Sequence, residues 1–272
     1  LKTEQPYHPT FKILTQYILN RIKKNKNFLG IVCGPTGSGK SWSAIALCEY
    51  LDKEFDVTHI NFRSSEFVKK VTQLKKLGKN KGSCLMIDEA GTMVGSRQWQ
   101  SKNNQALTQL LQIFRNMNFI VFFCVPHFKF VDSQARNLFH GLFETQGVGR
   151  LKFLRLQSNP KSGKIYTHYL RANTGTGMAD VATIKIPKPS DDMIETYEKK
   201  KWAFTSAMAK EILAGLKAIE EKDKAITSAK KLKCLVCNYQ WIPRNPKLIP
   251  GKCAKCSSSN WEKPIELVPL AV

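Results

Sequence analysis

Eight consecutive residues constrain this chain more than anything else in it: Gly34-Pro35-Thr36-Gly37-Ser38-Gly39-Lys40-Ser41. They satisfy the spacing Gly-x-x-x-x-Gly-Lys-Ser/Thr at every fixed position. The flanks agree. Phe28-Leu29-Gly30-Ile31-Val32-Cys33 reads as a short buried strand running into the loop, and Ser41 to Leu51 carries Ile45, Leu47, Cys48 and Leu51 at near-helical spacing. A strand, a glycine loop and a helix start set bare backbone N–H groups and a positive helix end against a β-phosphate. Lys40 is expected to reach the β- and γ-phosphates, and the Ser41 hydroxyl to ligate Mg2+. The alternative, a chance glycine-rich turn, does not account for both flanks. A nucleoside triphosphate is the implied ligand.

A second half-site follows about 45 residues on. Cys84-Leu85-Met86-Ile87 is an apolar run ending in Asp88-Glu89, the pattern of a buried strand with two carboxylates at its tip. The first acid suits the Mg2+ shell, and the second can polarise an attacking water. Two such acids on their own could be a solvated turn; beside a phosphate loop they point to hydrolysis.

The chain has 272 residues, enough for one α/β domain and a small appendage. No apolar run approaches the roughly 18 residues of a membrane span, and the longest, Phe119 to Pro126, is strand-sized. No signal-peptide pattern is present, so the expected location is cytoplasmic. Formal net charge is +22, with basic against acidic residues 21 to 10 in 1–150 and 22 to 11 in 151–272. An excess spread over both halves suits a polyanionic partner, nucleic acid above all and DNA in particular. Acidic membrane surfaces are the alternative, but no strongly apolar amphipathic face accompanies the lysines. Lys69, Lys70, Lys75, Lys76, Lys79 and Lys81 form the densest run, which taken alone also reads as a solvated helix face.

Cys33, Cys48, Cys84 and Cys124 sit singly in apolar segments and read as core thiols. Cys234-x-x-Cys237 and Cys253-x-x-Cys256 have metal-ligand spacing. Two turns, each presenting two thiolates, close a tetrahedral site for Zn2+, with rubredoxin-type iron as the competitor. The reducing compartment expected of a nucleotide enzyme disfavours disulfides.

Along the chain, residues 1–27 read as an arm and helix with Phe11, Leu14, Ile18 and Ile22 on one face. Residues 28–186 read as the nucleotide domain, of alternating strands and helices: a strand Val57–Phe62, a helix capped by Ser64 or Ser65, a helix Ala106–Asn116, a strand at Phe119–Val125 and a helix Asp132–Phe139. A short strand at Gly141–Thr145 and a hairpin of Leu151–Leu156 with Ile165–Leu170 follow. That alternation predicts a parallel α/β sheet flanked by helices. Residues 187–231 read as a Lys-rich helical connector or lid without visible chemistry, and residues 232–266 as a zinc ribbon.

Taken in order, Gly34 to Ser41, Met86-Ile87-Asp88-Glu89-Ala90-Gly91, Ile113-Phe114-Arg115-Asn116 and Asp132-x-x-x-Arg136 resemble the HerA/FtsK-type P-loop ATPases. The likeness is to the zonular-occludens-toxin-like branch in particular, over roughly residues 25–146. The resemblance implies a RecA-like core working as a ring, usually a hexamer, that moves nucleic acid or extrudes a nucleoprotein. It also implies an arginine acting on a neighbour's γ-phosphate, a place that Arg115 matches, with Arg136 and Arg97 as alternatives. Arg115 also suits a helix C-terminus, and Arg136 an ion pair with Asp132. Two departures stand out: relatives often carry a polar sensor where this chain has Val125-Pro126-His127, and the toxin-like branch commonly has a membrane segment. The last module resembles the zinc ribbons of DNA-associated proteins, in which Tyr239, Trp241 and Trp261 would pack over the metal core. Arg244, Lys247, Lys252 and Lys255 would then face phosphates, or the module would dock a protein.

The expected function is a Mg2+-dependent ATPase acting on DNA as a ring-forming motor. In that reading Lys40, Asp88, Glu89 and Arg115 are catalytic. The alternatives are an AAA+-type helicase loader, a DNA-binding ATP switch, or a small-molecule phosphotransferase.

Overall fold

The computed structural model describes residues 7–88, 117–131, 133–173, 175–227, 232–241 and 250–261. Two compact units divide at Trp202 and Ala203. In the first, the strands are β1 (Phe28–Cys33), β2 (Ile60–Asn61), β3 (Cys84–Ile87), β4 (Ile120–Val125), β5 (Gly141–Thr145), β6 (Arg150–Ser158), β7 (Ile165–His168), β8 (Leu170–Asn173), β9 (Met178–Val181) and β10 (Ile184–Lys185). Eight of them form one sheet in the order β10-β6-β5-β1-β4-β3-β2, with β7 also paired to β6. The five strands from β5 to β2 run parallel, and β6, β7 and β10 add an antiparallel extension.

Every residue of β1, β3 and β4 is buried, as expected of parallel strands covered on both faces. The pleat divides them. Leu29, Ile31, Leu85, Ile87, Val121 and Phe123 meet Phe67, Val71 and Leu74 of helix α3 (Ser64–Lys76), whose lysines face outward. On the N-terminal side, Phe11, Leu14, Ile18 and Ile22 of helix α1 (Pro9–Lys23) are buried at the spacing expected, each worth about 2 kcal/mol.

Several local expectations are corrected. The strand expected over Val57–Phe62 is a 3-10 turn, Val57–His59, followed by the two residues of β2. Asp56 drives the change: its carboxylate accepts from the Thr58 N–H at 2.7 Å and pairs with His59 at 2.9 Å, a local bonding that competes with the ladder. Neither Ser64 nor Ser65 caps α3. Arg63 occupies that position without a side-chain cap bond, and the Glu66 carboxylate accepts from the Phe62 N–H at 3.1 Å. The helix expected over Asp132–Phe139 is a single turn, α4 (Ser133–Arg136). Leu170 leaves the hairpin to begin β8, which pairs with β9. The helix expected over Ala106–Asn116 lies outside the described residues.

Helix α5 (Asp191–Thr227) begins on the first unit. Met193 and Tyr197 are buried there, the Ser190 hydroxyl donates to Glu49 at 2.5 Å, and Lys200 donates to the carbonyls of Val57, at 2.9 Å, and Ile60. Burial pushes the Lys200 ammonium down from its ordinary value.

His140, between α4 and β5, accepts from the Leu29 N–H through Nδ1 at 3.0 Å. Burial, reinforced by Arg21, pushes its pKa from 6.5 down to about 3. The imidazole is therefore neutral in the fold. Between those values the unfolded chain binds a proton that the native chain refuses, so stability is complete above about pH 6.5 and declines as pH falls toward about 3. Urea unfolding across that window is expected to show a wild-type loss of up to about 1.4 kcal/mol per pH unit that His140→Gln lacks. Parallel pH dependences for the two proteins would contradict this.

Candidate nucleotide site and four-cysteine module

The C-terminal ends of β1, β3, β4 and β5 share one edge of the sheet, where loops of α/β folds gather ligands. From β1 the chain enters the glycine loop at Gly34, whose φ is +152°. A Cβ there would lie 1.9 Å from Thr145 Oγ1, at the end of β5. That hydroxyl is 3.2 Å from the Cys33 carbonyl and 2.7 Å from Ser38 Oγ, and so holds the loop against β5. Gly39, at φ +85°, is the N-cap of helix α2 (Lys40–Leu51) and supplies no side-chain cap. The first amides of α2 are thus placed for an anion rather than for a side chain. Lys40 donates to the Pro35 carbonyl at 2.7 Å, folded across the loop.

Asp88 arrives from β3, 1% exposed. The Ser41 hydroxyl lies 3.0 Å from Oδ1 and 3.2 Å from Oδ2, so the loop serine and the strand-tip acid are brought together across 47 residues. Two further donors come from α5. The Tyr197 hydroxyl donates to Asp88 Oδ2 at 2.5 Å, and the Lys201 ammonium lies 3.5 Å from the same oxygen and 3.1 Å from the Tyr197 hydroxyl. Burial first, then the charge of Asp88, pushes the Tyr197 phenol up, which keeps it protonated as a donor. Charge-assisted bonds of this kind contribute about 1.5–3 kcal/mol each. A cleft of about 470 Å3 opens over these groups, bounded by the glycine loop, Trp42, Pro126, Val148 and Tyr197. At its rim Trp42 donates to Glu198 at 3.4 Å. A hydroxyl and a carboxylate at this separation suit the hard oxygen shell of Mg2+.

Other residues singled out in the sequence fall elsewhere. His127 is exposed, and its Nδ1 accepts from the Lys129 N–H at 3.0 Å, capping a 3-10 turn. Arg136 donates to the carbonyls of Val131 and Lys129, with its guanidinium 5.3 Å from the Phe128 ring centre. Glu89, Arg97, Arg115 and Asp132 lie outside the described residues. Tyr197 and Lys201 were not anticipated. The available signal was the spacing Met193, Tyr197, Lys201, one i+4 stripe on a helix otherwise rich in charge.

In the second unit, β11 (Leu232–Lys233) and β12 (Gln240–Trp241) pair antiparallel, and two turns bring Cys234, Cys237, Cys253 and Cys256 together. All four sulfurs lie within 4.8 Å of one another, with Cys234–Cys256 and Cys237–Cys253 each at 3.7 Å. A tetrahedron with about 2.3 Å metal–sulfur bonds has edges of about 3.8 Å, so the thiols fit Zn2+. The turns repeat one design: Asn238 and Ser257, each following the second cysteine, take left-handed φ of 59° and 58°. Trp261 is buried beside Trp241 at 5.0 Å, and its indole donates to the Pro250 carbonyl at 2.8 Å. Tyr239 is corrected. It is 41% exposed and lies parallel to Trp241, with Lys255 5.7 Å from its ring centre. The core thiols differ from these four. Burial pushes Cys48, Cys84 and Cys124 up, and Cys33 up to about 11.

The sheet, the glycine loop and the acid at the β3 tip define a P-loop NTPase, a mixed α/β protein that hydrolyses ATP. Residues 31–142 match the ATPase family associated with various cellular activities (AAA). No curated protein matches the chain. Among solved structures, the N-terminal domain of zonular occludens toxin from Neisseria meningitidis is 16% identical, over 53% of this chain and 95% of that one, with a TM-score of 0.31. Domain III of the replication initiation protein DnaA from Thermotoga maritima is 17% identical over 53% and 67%, at 0.28. EccC (ATPases 2 and 3) from Thermomonospora curvata, in complex with a signal sequence peptide, is 10% identical over 61% and 37%, at 0.34. Among the described residues no helix is long and apolar enough to cross a membrane.

Proposed function

We propose that this chain is a Mg2+-dependent ATPase that acts on DNA as a ring-forming motor of the HerA/FtsK kind. The observation that carries the chemistry is the meeting of Ser41 and Asp88 at 3.0 Å beneath the glycine loop. In this reading Gly34 to Ser41 cradle the phosphates, Lys40 neutralises the β- and γ-phosphates, and Ser41 and Asp88 hold Mg2+. Mg2+ held by Ser41 and Asp88 would supply positive charge against the negative charge that develops on the phosphates. Glu89 orients the attacking water, and Arg115 of a neighbouring copy reaches the γ-phosphate. DNA as the partner rests on the net charge of +22, carried on both halves of the chain. Cys234, Cys237, Cys253 and Cys256 hold Zn2+, and the ribbon engages DNA or a protein partner through a surface that includes Lys252 and Lys255. The location in this reading is cytoplasmic.

Steady-state hydrolysis by the zinc-loaded chain, with and without single- and double-stranded DNA, tests the reading. Stimulation by DNA is expected, rising cooperatively with protein concentration and weakening steeply with salt, because phosphate neutralisation releases counterions. Hydrolysis indifferent to DNA and to protein concentration would sink the motor. A second reading, an AAA+-type loader or DNA-binding switch, draws support from the family match over residues 31–142. It predicts DNA binding that depends on nucleotide, without cooperative stimulation by naked DNA.

A further inference from the structure

Residues 187–231 read in the sequence as a connector without chemistry, yet two side chains of α5 touch the strand-tip acid. Tyr197 and Lys201 are one helical turn apart and present a phenol and an ammonium to a single oxygen, Asp88 Oδ2. Their roles cannot be the same. The phenol is neutral, almost fully enclosed and stacked on Phe62 at 6.4 Å. It fixes the rotation of the carboxylate, and the other oxygen, Oδ1, is the one closer to Ser41. The ammonium sits at a partly open site, its side chain 28% exposed while that of Asp88 is 2% exposed. It lies 3.5 Å from Oδ2 of the same carboxylate that Ser41 meets, and Lys40, folded onto Pro35, is turned to a different partner.

We infer that α5 completes the metal centre, with Tyr197 orienting the Asp88 carboxylate and Lys201 holding the metal's charge position until Mg2+ arrives. The inference rests on the reading of Ser41 and Asp88 as the Mg2+ residues. Both side chains are positioning residues: they act through Asp88. The two have opposite consequences. Without the Tyr197 hydroxyl, Asp88 Oδ2 loses the short bond that orients the carboxylate, so Mg2+ binds less well. Without the Lys201 ammonium, the incoming cation no longer meets a like charge beside its ligand, so Mg2+ binds better, while nucleotide without metal loses a counter-charge.

Calorimetric titration of the full zinc-loaded chain with the nonhydrolysable analogue AMP-PNP, over a series of free Mg2+ concentrations, separates these effects. Tyr197→Phe, which keeps the ring on Phe62, is expected to raise the Mg2+ concentration for half-maximal affinity about tenfold. Lys201→Met is expected to lower it about threefold and to weaken AMP-PNP binding in EDTA. Lys201→Arg, which keeps the charge, should restore the wild-type requirement. A merely structural role would reduce the bindable fraction without moving the Mg2+ midpoint. Shifts of one sign in Tyr197→Phe and Lys201→Met, or no shift in either, overturn the inference alone, provided that Asp88→Asn raises the requirement. If Asp88→Asn leaves the requirement unchanged, the metal role of Asp88 falls and this inference falls with it.

Discussion

Lys40→Ala is expected to lower ATP hydrolysis by about a thousandfold while leaving the protein folded. The two halves of that statement have different causes. Lys40 opens α2, and its one hydrogen bond within the loop, to the Pro35 carbonyl at 2.7 Å, is exposed. Losing an exposed contact of this kind changes stability by about 0.5 kcal/mol. Turnover is another matter, because in the proposed reading the Lys40 ammonium neutralises the β- and γ-phosphates. Preorganised charges in such sites act where negative charge develops, which is why their removal affects rate so strongly. Phosphate release measured beside a thermal unfolding curve reads both. A rate within tenfold of wild type, at an unchanged midpoint, would show that the phosphates are held elsewhere.

Removing zinc is expected to unfold the four-cysteine module outright. Among the described residues, those buried in it are Cys234, Cys253 and Trp261, with Leu232, Cys237 and Trp241 partly covered. So small an apolar cluster cannot offset the ordering of two turns, whereas structural Zn2+ supplies about 10–16 kcal/mol in comparable modules. The turns are held by backbone bonds, Asn238 N–H to the Cys234 carbonyl at 2.8 Å and Ser257 N–H to the Cys253 carbonyl at 3.0 Å. Hydrogen exchange at those amides, with metal content measured in parallel, should show protection in the one-zinc chain and its loss on chelation. Cys253→Ser should lose protection without a chelator. Protection that survives full metal removal would mean that the module is not held by a metal.

The parts of this protein that were legible in its sequence are those built from neighbours along the chain. The glycine loop, the buried strands β1, β3 and β4, the hairpin and the cysteine pairs each follow from spacing within a dozen or so residues. What escaped was set at a distance or by one side chain. Tyr197 meets Asp88 across 109 residues, and its helix, thick with Lys and Glu, looks like a solvated face until the strand tip is placed beside it. His140 accepting from Leu29 is the same case across 111 residues. The shortening of β2 was a local matter decided by a single carboxylate, since Asp56 binds Thr58 and His59 before the ladder can. Glycine at position 34 was legible as part of a pattern, but not its reason, the approach of Thr145 from β5.

The margins of the main sheet bear on how copies of this chain can meet. Among the described residues, β2 at one end and β10 at the other are two residues each, and β7, the further strand on β6, is four. Such stubs offer an incoming strand almost no run of unpaired amides to extend, and short borders are one way in which natural sheets resist edge-to-edge growth. Self-assembly by continuing the sheet from one molecule into the next is therefore disfavoured at these borders. Copies that gather would do so through side chains and loops.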